Sequence, residues 1–308
     1  MMQLYLRSLR PVQLRLIAAI ALHGKLGLAA DACAMTMPAA SRMLADMEEN
    51  LGAGLFTRMP RGMVLTPIGE VLARHARKLA SDVDRMAEDF IAHSSGIGGT
   101  VRVGAVTGAA LTAVIPATLR LKDKAPLVEV ALDVSSSSRL MWGLERGEYD
   151  FALCRPGSGA HGPDFDISHA RQESALFMVR RAHPLAENPN PSLRDLADFP
   201  WTMQDQGAPI RRALELAFHE DGVPLPRNLI KTASVVAIMA LMRDSDIIAV
   251  VTEEVADLLL QPPYAADIAL IRPARPVLIE AYHILQPRHR IISAAASELL
   301  AMVMEELA

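Results

Sequence analysis

Between residues 67 and 92 the apolar side chains Leu72, Ala76, Leu79, Val83, Met86 and Phe90 recur at spacings of 4, 3, 4, 3 and 4. That is the a/d rhythm of a helix packed along another helix. A single helix has nothing against which to bury such a stripe, so the pattern demands a partner, most simply the same helix of a second copy. Thr66-Pro67 marks its start, with Thr as N-cap and Pro in the first turn. This helix also divides the chain, because the residue patterns on its two sides are different.

On the N-terminal side the segments are short and helical. Residues 12–22 carry Val12, Leu16, Ala19 and Ile20 at helical spacing, with Pro11 suited to a first turn and Gly24 to a stop. An Ala-rich segment, 26–34, follows, and Thr36-Met37-Pro38 repeats the start signal for a helix over about 37–50 that ends at Leu51-Gly52. In that helix Met43, Leu44 and Met47 should face the core, and Ser41 and Arg42 the outside. Two extended runs, 55–58 and 63–65, are joined by Met59-Pro60-Arg61-Gly62, whose Pro and Gly suit a hairpin turn. The order helix, turn, helix, hairpin is that of a winged helix-turn-helix.

Beyond the Ser/Gly-rich stretch 93–99 the pattern alternates between strands and helices. Runs at 101–106, 128–134 and 151–154 are separated by helical stretches at 111–121 and 138–146, the signature of a parallel sheet covered by helices. A second block has strands near 175–179, 201–204, 229–232, 247–251 and 278–285, helices near 210–221 and 235–243, and a final helix from 293. The expected fold is therefore α/β with an α-rich N-terminal winged helix-turn-helix and a C-terminal two-lobed domain. The boundaries fall at 1–66 for the winged domain, 67–93 for the linker helix, 94–99 for a hinge and 100–308 for the last domain. Its first lobe takes about 100–165 with 270–308, and its second about 166–269.

Composition narrows the function classes. The 308 residues are 51% hydrophobic and 21% charged, enough for several cores and too apolar for disorder. The net charge of -4 does not advertise a nucleic-acid partner, so any such face must be local. Cys33 and Cys154 lack metal or redox spacing and read as small buried hydrophobes, and the histidines, His161 and His169 among them, show no metal-ligand spacing. No metal and no cofactor is expected. His23, Gly24 and Lys25 interrupt the only N-terminal apolar run, and no stretch of 18 apolar residues occurs, so a cytoplasmic chain without membrane contact is expected. With no phosphate loop, no Gly-x-Ser-x-Gly elbow and no clustered catalytic residues, an enzyme is not expected either.

The segments Leu26-Gly27-Leu28-Ala29-Ala30, Met35 through Leu44, Leu55-Phe56-Thr57-Arg58 and Leu65-Thr66-Pro67-Ile68-Gly69-Glu70 together resemble the helix-turn-helix of LysR-type transcriptional regulators. Val101-Arg102-Val103-Gly104 and Gly147 through Ala152 fit the family plan for the sensor. Within the family, residues 38–44 are most similar to regulators grouped with the galactose-binding-protein regulator, whose targets concern sugar uptake. The resemblance implies an operator-binding homodimer or homotetramer, a sensor like periplasmic binding proteins, a small-molecule effector, and RNA polymerase as a further partner. The effector could be a sugar, a sugar acid, or an aromatic or other organic acid. An extracytoplasmic solute-binding protein is the rival reading, but it has no use for residues 1–92.

The N-terminal residues of the second helix of a helix-turn-helix approach base edges, which here are Thr36, Met37, Pro38, Ser41 and Arg42. Arg58 and Arg61 at the wing would meet phosphate or the minor groove, unless they are merely solvated charge. Members of the family usually carry Gln where Met37 stands and a polar or basic residue where Leu28 stands, so one base-reading amide and one backbone contact are missing. In the sensor, open α/β sheets bind ligands at the carboxyl ends of strands. Thr107, Gly108, Ser135, Ser136, Ser137, Gln204, Gly207, Arg211, Thr232 and Ser234 occupy those places, although the hydroxyls could equally be helix caps. They suit a small anionic or polyhydroxylated effector.

Overall fold

A computed structural model describes residues 2–95, 98–157, 164–188, 191–264, 266–273, 275–288, 290 and 292–308. The chain divides into two compact units. One is residues 1–101 with 127–129 and 142–150; the other is residues 102–126, 130–141 and 151–308.

The first unit begins with a helix the sequence did not announce, α1 (Met2–Arg7), and continues with α2 (Pro11–His23), α3 (Leu26–Ala32) and α4 (Met37–Leu51). The start signal at Thr36 and both stop signals act as expected: Thr36 Oγ1 accepts from Ala39 N, and Gly24 and Gly52 take the left-handed conformation that stops α2 and α4. Strands β1 (Phe56–Met59) and β2 (Gly62–Leu65) pair antiparallel as the wing, and α5 (Pro67–Ser95) follows. Leu16, Ile17 and Ile20 of α2, Ala29 and Ala30 of α3, Leu44 and Met47 of α4, and Ala73 and Ala76 of α5 form one core. Each large side chain so buried contributes about 2 kcal/mol.

The wing is tied down by polar contacts as well. Glu48 Oε1 accepts from the amides of Leu55 at 2.6 Å and Phe56 at 3.1 Å. Thr66 Oγ1 accepts from Gly69 N at 3.0 Å and donates to the Gly54 carbonyl at 2.8 Å. Gly69 is there because α5 runs so close to the strand entry that a Cβ would lie 1.9 Å from the Leu55 carbonyl oxygen.

After α5, β3 (Thr100–Ala105) leads into a helical stretch made of α6 (Thr107–Ala109), a π turn over 110–114 and α7 (Ile115–Lys124). Next come β4 (Glu129–Val134), α8 (Ser137–Glu145), β5 (Phe151–Cys154), β6 (Phe165–Arg180), α9 (Leu193–Ala197), β7 (Trp201–Met203) and α10 (Pro209–Glu220). Then follow β8 (Leu229–Lys231), α11 (Val235–Arg243), β9 (Ala249–Thr252), α12 (Glu253–Leu260), β10 (Ile268–Ile271), β11 (Val277–Pro287) and α13 (Ala294–Leu307). The main sheet has the order β10-β6-β11-β5-β3-β4, with β9 also on β6, and β7 and β8 form a small parallel pair.

The sheet departs from the parallel one expected. β3 and β5 are parallel, but β6 and β11 run antiparallel to each other from Phe165↔Pro287 to Ala175↔Val277. The expected strand at 175–179 is only the end of a strand sixteen residues long, whose polar first half reads as loop until β11 supplies its hydrogen bonds. His169, which lies in what the sequence alone reads as a loop, is accordingly part of β6, and His161, read in the same way, lies outside the described residues. The hinge expected at 94–99 overlaps the end of α5, and its residues 96 and 97 also lie outside the described residues. Val103 of β3, Phe151 of β5, Leu121 of α7 and Leu299 and Val303 of α13 are all buried, and α7 packs on α13. In a separate core Trp201 donates its Nε1–H to the Leu196 carbonyl at 2.9 Å and meets Phe177 and Phe218 edge-on.

Replacing Gly69 with Ala should push α5 off the wing and lower stability by about 2 kcal/mol. A drop in the first thermal unfolding transition checks this, and an unchanged transition would mean that α5 can yield at no cost.

Candidate functional site

Exposure decides what the first unit can present. Thr36, Met37, Pro38 and Arg42 stand exposed at the start of α4, with Ser41 half-buried beside them. Arg58 on β1 and Arg61 at the wing tip are also exposed. The Arg42 Nε leans on the Pro38 carbonyl at 3.4 Å, which holds the guanidinium along the first turn of the helix. All seven expected DNA-contact residues are therefore accessible on α4 and the wing. Met37 is 61% exposed and Leu28, on α3, 49% exposed.

The seam on α5 is narrower than its spacing suggests. Ala76 is fully buried in the core of its own unit and is not available to a partner, while Leu72 is half-buried against the same core. This corrects the assignment of Ala76 as a dimer contact: α5 turns that position into its own unit, which the heptad rhythm alone cannot distinguish from burial by a second chain. Leu79, Met86 and Phe90 are exposed, at 49%, 65% and 75%, and Val83 is half-buried. Leu79 also lines an apolar groove of about 580 Å³ together with Met2, Leu6, Ile68 and Val71.

In the second unit, loops at strand ends enclose a cleft of about 470 Å³. Thr107, Gly108, Ser135, Ser136, Ser137, Gln204 and Gly207 line it as expected. Three expected residues do not line it. Arg211 is buried, its Nε on Glu215 at 2.8 Å and its Nη1 on the Gln204 carbonyl at 3.3 Å, so it braces the loop and has no charge to offer a ligand. Ser234 caps α11 by accepting from Ala237 N, and Thr232 Oγ1 accepts from Ser234 N. Capping also occupies part of the serine loop, where Ser136 Oγ accepts from Arg139 N and Ser137 Oγ from Arg155 N.

The floor of the cleft is an ion pair the sequence reading missed. Arg155, just past β5, and Glu173, in the middle of β6, are 7% and 2% exposed. Arg155 Nη2 donates to Glu173 Oε2 and its Nε to the Glu280 carbonyl. Burial pushes the Glu173 carboxyl above the usual carboxylate range, against the pull of Arg155. Its second oxygen, Oε1, has no partner among the described residues, and neither has Thr252 Oγ1 on the cleft wall. Glu173 lies so close to the backbone that a Cβ on Gly108 would sit 1.9 Å from Oε1. Arg155 was within reach of the strand-end rule, since it follows Cys154. Glu173 was not, because nothing local marks its segment as a strand.

Cys154 is buried beside this floor in sequence, and burial pushes its thiol up to about 12, so it carries no thiolate chemistry at neutral pH. Among the described residues no group of His, Cys, Asp and Glu is arranged to hold a metal ion, and no helix is long and apolar enough to cross a membrane.

Residues 11–70 match the bacterial regulatory helix-turn-helix protein model of the lysR family, and residues 94–308 match the LysR substrate binding domain. The chain belongs to the LysR family of DNA-binding transcriptional regulators, with an effector-binding domain after the helix-turn-helix. It is 38% identical over 246 residues to the HTH-type transcriptional regulator GbpR of Rhizobium radiobacter, covering 79% of this chain and 82% of that one. A regulator of the same name from Azospirillum brasilense is 33% identical over 244 residues, covering 79% and 71%. In fold it is similar to full-length OxyR from Pseudomonas aeruginosa, with a TM-score of 0.63 at 19% identity over 97% of this chain and 94% of that one. CbnR in complex with its target DNA gives 0.61 at 21% identity, over 97% and 100%. The solute-binding reading is left with no role for residues 11–70.

Replacing Arg155 with Met should cost about 3 kcal/mol or more, because Glu173 is left as an unpaired buried charge. Adding Glu173→Gln should restore most of it. Urea unfolding of the single and double variants measures both, and equal losses in the two would show that the pair is not coupled.

Proposed function

We propose that this chain is a homodimeric regulator that holds an operator with α4 and the wing and senses a neutral, hydroxyl-rich small molecule in the cleft of its second unit. The observation that carries the DNA reading is the exposed start of α4 from Thr36 to Arg42 inside a winged unit of the LysR family. Arg42 supplies a bidentate contact to guanine or a clamp on phosphate, and Arg58 and Arg61 hold the backbone. Leu79, Val83, Met86 and Phe90 mark the face of α5 that a second copy covers, with two dimers able to pair into a tetramer. We assign the winged domain to 1–66, the linker helix to 67–93, a hinge to 94–99 and the effector domain to 100–308, with lobe boundaries near 165 and 270. The chain acts in the compartment of the chromosome, contacts RNA polymerase from the operator and carries out no catalysis.

The effector class follows from charge. Arg155, the cation at the cleft floor, is already committed to Glu173, and Arg211 to Glu215, so among the described residues lining the cleft a carboxylate effector would find no uncommitted cation to pair with. The unpartnered oxygens of Glu173 and Thr252 instead favour a ligand that brings hydroxyl donors. Ser138, Asp205 and Gln206, in the same strand-end loops, add polar groups to the cleft lining.

Arg42→Ala should weaken binding to the chain's own upstream DNA and reduce the salt slope of the dimer by about 2, one cation being lost per half-site. Gel retardation across a salt series reads both, and an unchanged slope would remove Arg42 from the interface. Leu79→Asp should convert the dimer to monomers in sedimentation and abolish binding to a full operator; a dimeric variant would place the interface elsewhere. Neutral pentoses and hexoses, at about a hundredfold excess over Kd, should raise the Tm of the full-length protein by about 5 °C or more. Thr252→Val should remove the rise. Stabilisation by sugar acids or benzoate in its place, still lost in Thr252→Val, would keep the cleft and refute the effector class.

A further inference from the structure

The start of α4 carries an apolar side chain that the fold does not use. Met37 is 61% exposed, on the first turn of a helix whose core face is Ala40, Leu44 and Met47. Around it polar functions are few. Thr36 turns its hydroxyl oxygen back to accept from Ala39 N at 3.4 Å, leaving only its proton to donate, and Pro38 has no amide proton to give. Ser41 and Arg42, four and five residues on, are the next side chains able to hydrogen-bond a base.

We propose that Met37 reads the C5-methyl group of a thymine in each operator half-site, an inference that rests on α4 being the helix that enters the major groove. The N-terminal residues of such a helix are the ones brought against base edges. A thioether neither donates nor accepts a strong hydrogen bond, so Met37 is blind to the amino, carbonyl and ring-nitrogen pattern that an amide or a guanidinium would read. The one apolar feature a base pair offers in the major groove is the thymine methyl. Met has three rotatable side-chain bonds and a polarisable sulfur, so it settles over a methyl without the fixed geometry a bidentate amide requires. Burying Met37 there removes from water an apolar group that the free protein leaves exposed. The division of labour is then methyl contact from Met37 and polar or phosphate contact from Arg42 one turn later.

The test uses full-length protein and an operator selected by it from random-sequence duplexes. Each thymine is replaced singly by uracil, which deletes only the methyl group. At one position per half-site the wild type should bind about fourfold more weakly, and about fifteenfold when both half-sites are altered. Met37→Ala should lose this sensitivity at that position and keep its sensitivity to changes at the Arg42 contacts. Selection with Met37→Gln should replace thymine by adenine there, as expected for an amide facing adenine N6 and N7. Because Met37 is exposed, both variants should keep the wild-type circular dichroism and melting temperature. If no uracil position separates the wild type from Met37→Ala, the proposal is overturned while the regulator reading stands. If the wild type retards no duplex even at low ionic strength, both fall.

Discussion

The second unit is organised around the antiparallel pairing of β6 with β11. These strands run side by side for most of their length, and β5, β9 and β10 are hydrogen-bonded to one or the other. Because β6 extends so far, Glu173 at its middle reaches the ends of β3, β4 and β5, where the loops bearing Thr107, the serines and Arg155 converge. A carboxylate there would be an unpaired buried charge without Arg155, and Arg155 would be one without it. Gly108 completes the arrangement by leaving room for Glu173 against the backbone. Strand length, ion pair and glycine are thus parts of one constraint, and the cleft is its by-product.

The first unit depends on local signals used twice. A threonine N-cap with a proline in the first turn opens α4, as Thr36-Met37-Pro38, and again α5, as Thr66-Pro67, and in each case the threonine oxygen takes up an amide of the first turn. What differs is the surroundings. At α4 the start of the helix is left open and carries Met37 and Arg42, whereas at α5 it is clamped to the wing through Gly54, Leu55 and Gly69. The same local motif therefore makes an exposed reading surface in one place and a rigid joint in the other. The chain bears a net charge of -4, so attraction to DNA comes from exposed basic residues of this unit, Arg42, Arg58 and Arg61 among them, and not from the molecule as a whole.

Hydroxyl-bearing loops at strand ends have two uses, and the cleft shows both. Ser136, Ser137 and Ser234 satisfy backbone amides, while the oxygen of Thr252, which lines the cleft, has no partner among the described residues. Residue type and position along a strand are the same for cap and ligand contact. The two separate only when the partner of each oxygen is known.

The local sequence determined what nearest neighbours along the chain decide: helix starts at Thr36 and Thr66, stops at Gly24 and Gly52, the hairpin at the wing, and the alternation of strands and helices after residue 100. It also carried the motif that placed the chain among LysR-type regulators. Tertiary structure alone decided which way β11 runs against β6, since a polar segment such as 165–174 becomes a strand only when another strand completes its hydrogen bonds. It decided that Ala76 belongs to its own core and Leu79 to a surface, because periodicity reports a buried stripe but not what buries it. And it decided that Arg155 and Glu173, 18 residues apart in sequence, meet at the cleft floor while Arg211 is turned away. Capping and turns are interactions of short range, written residue by residue. Strand pairing, burial and ion pairing depend on segments that only folding brings together.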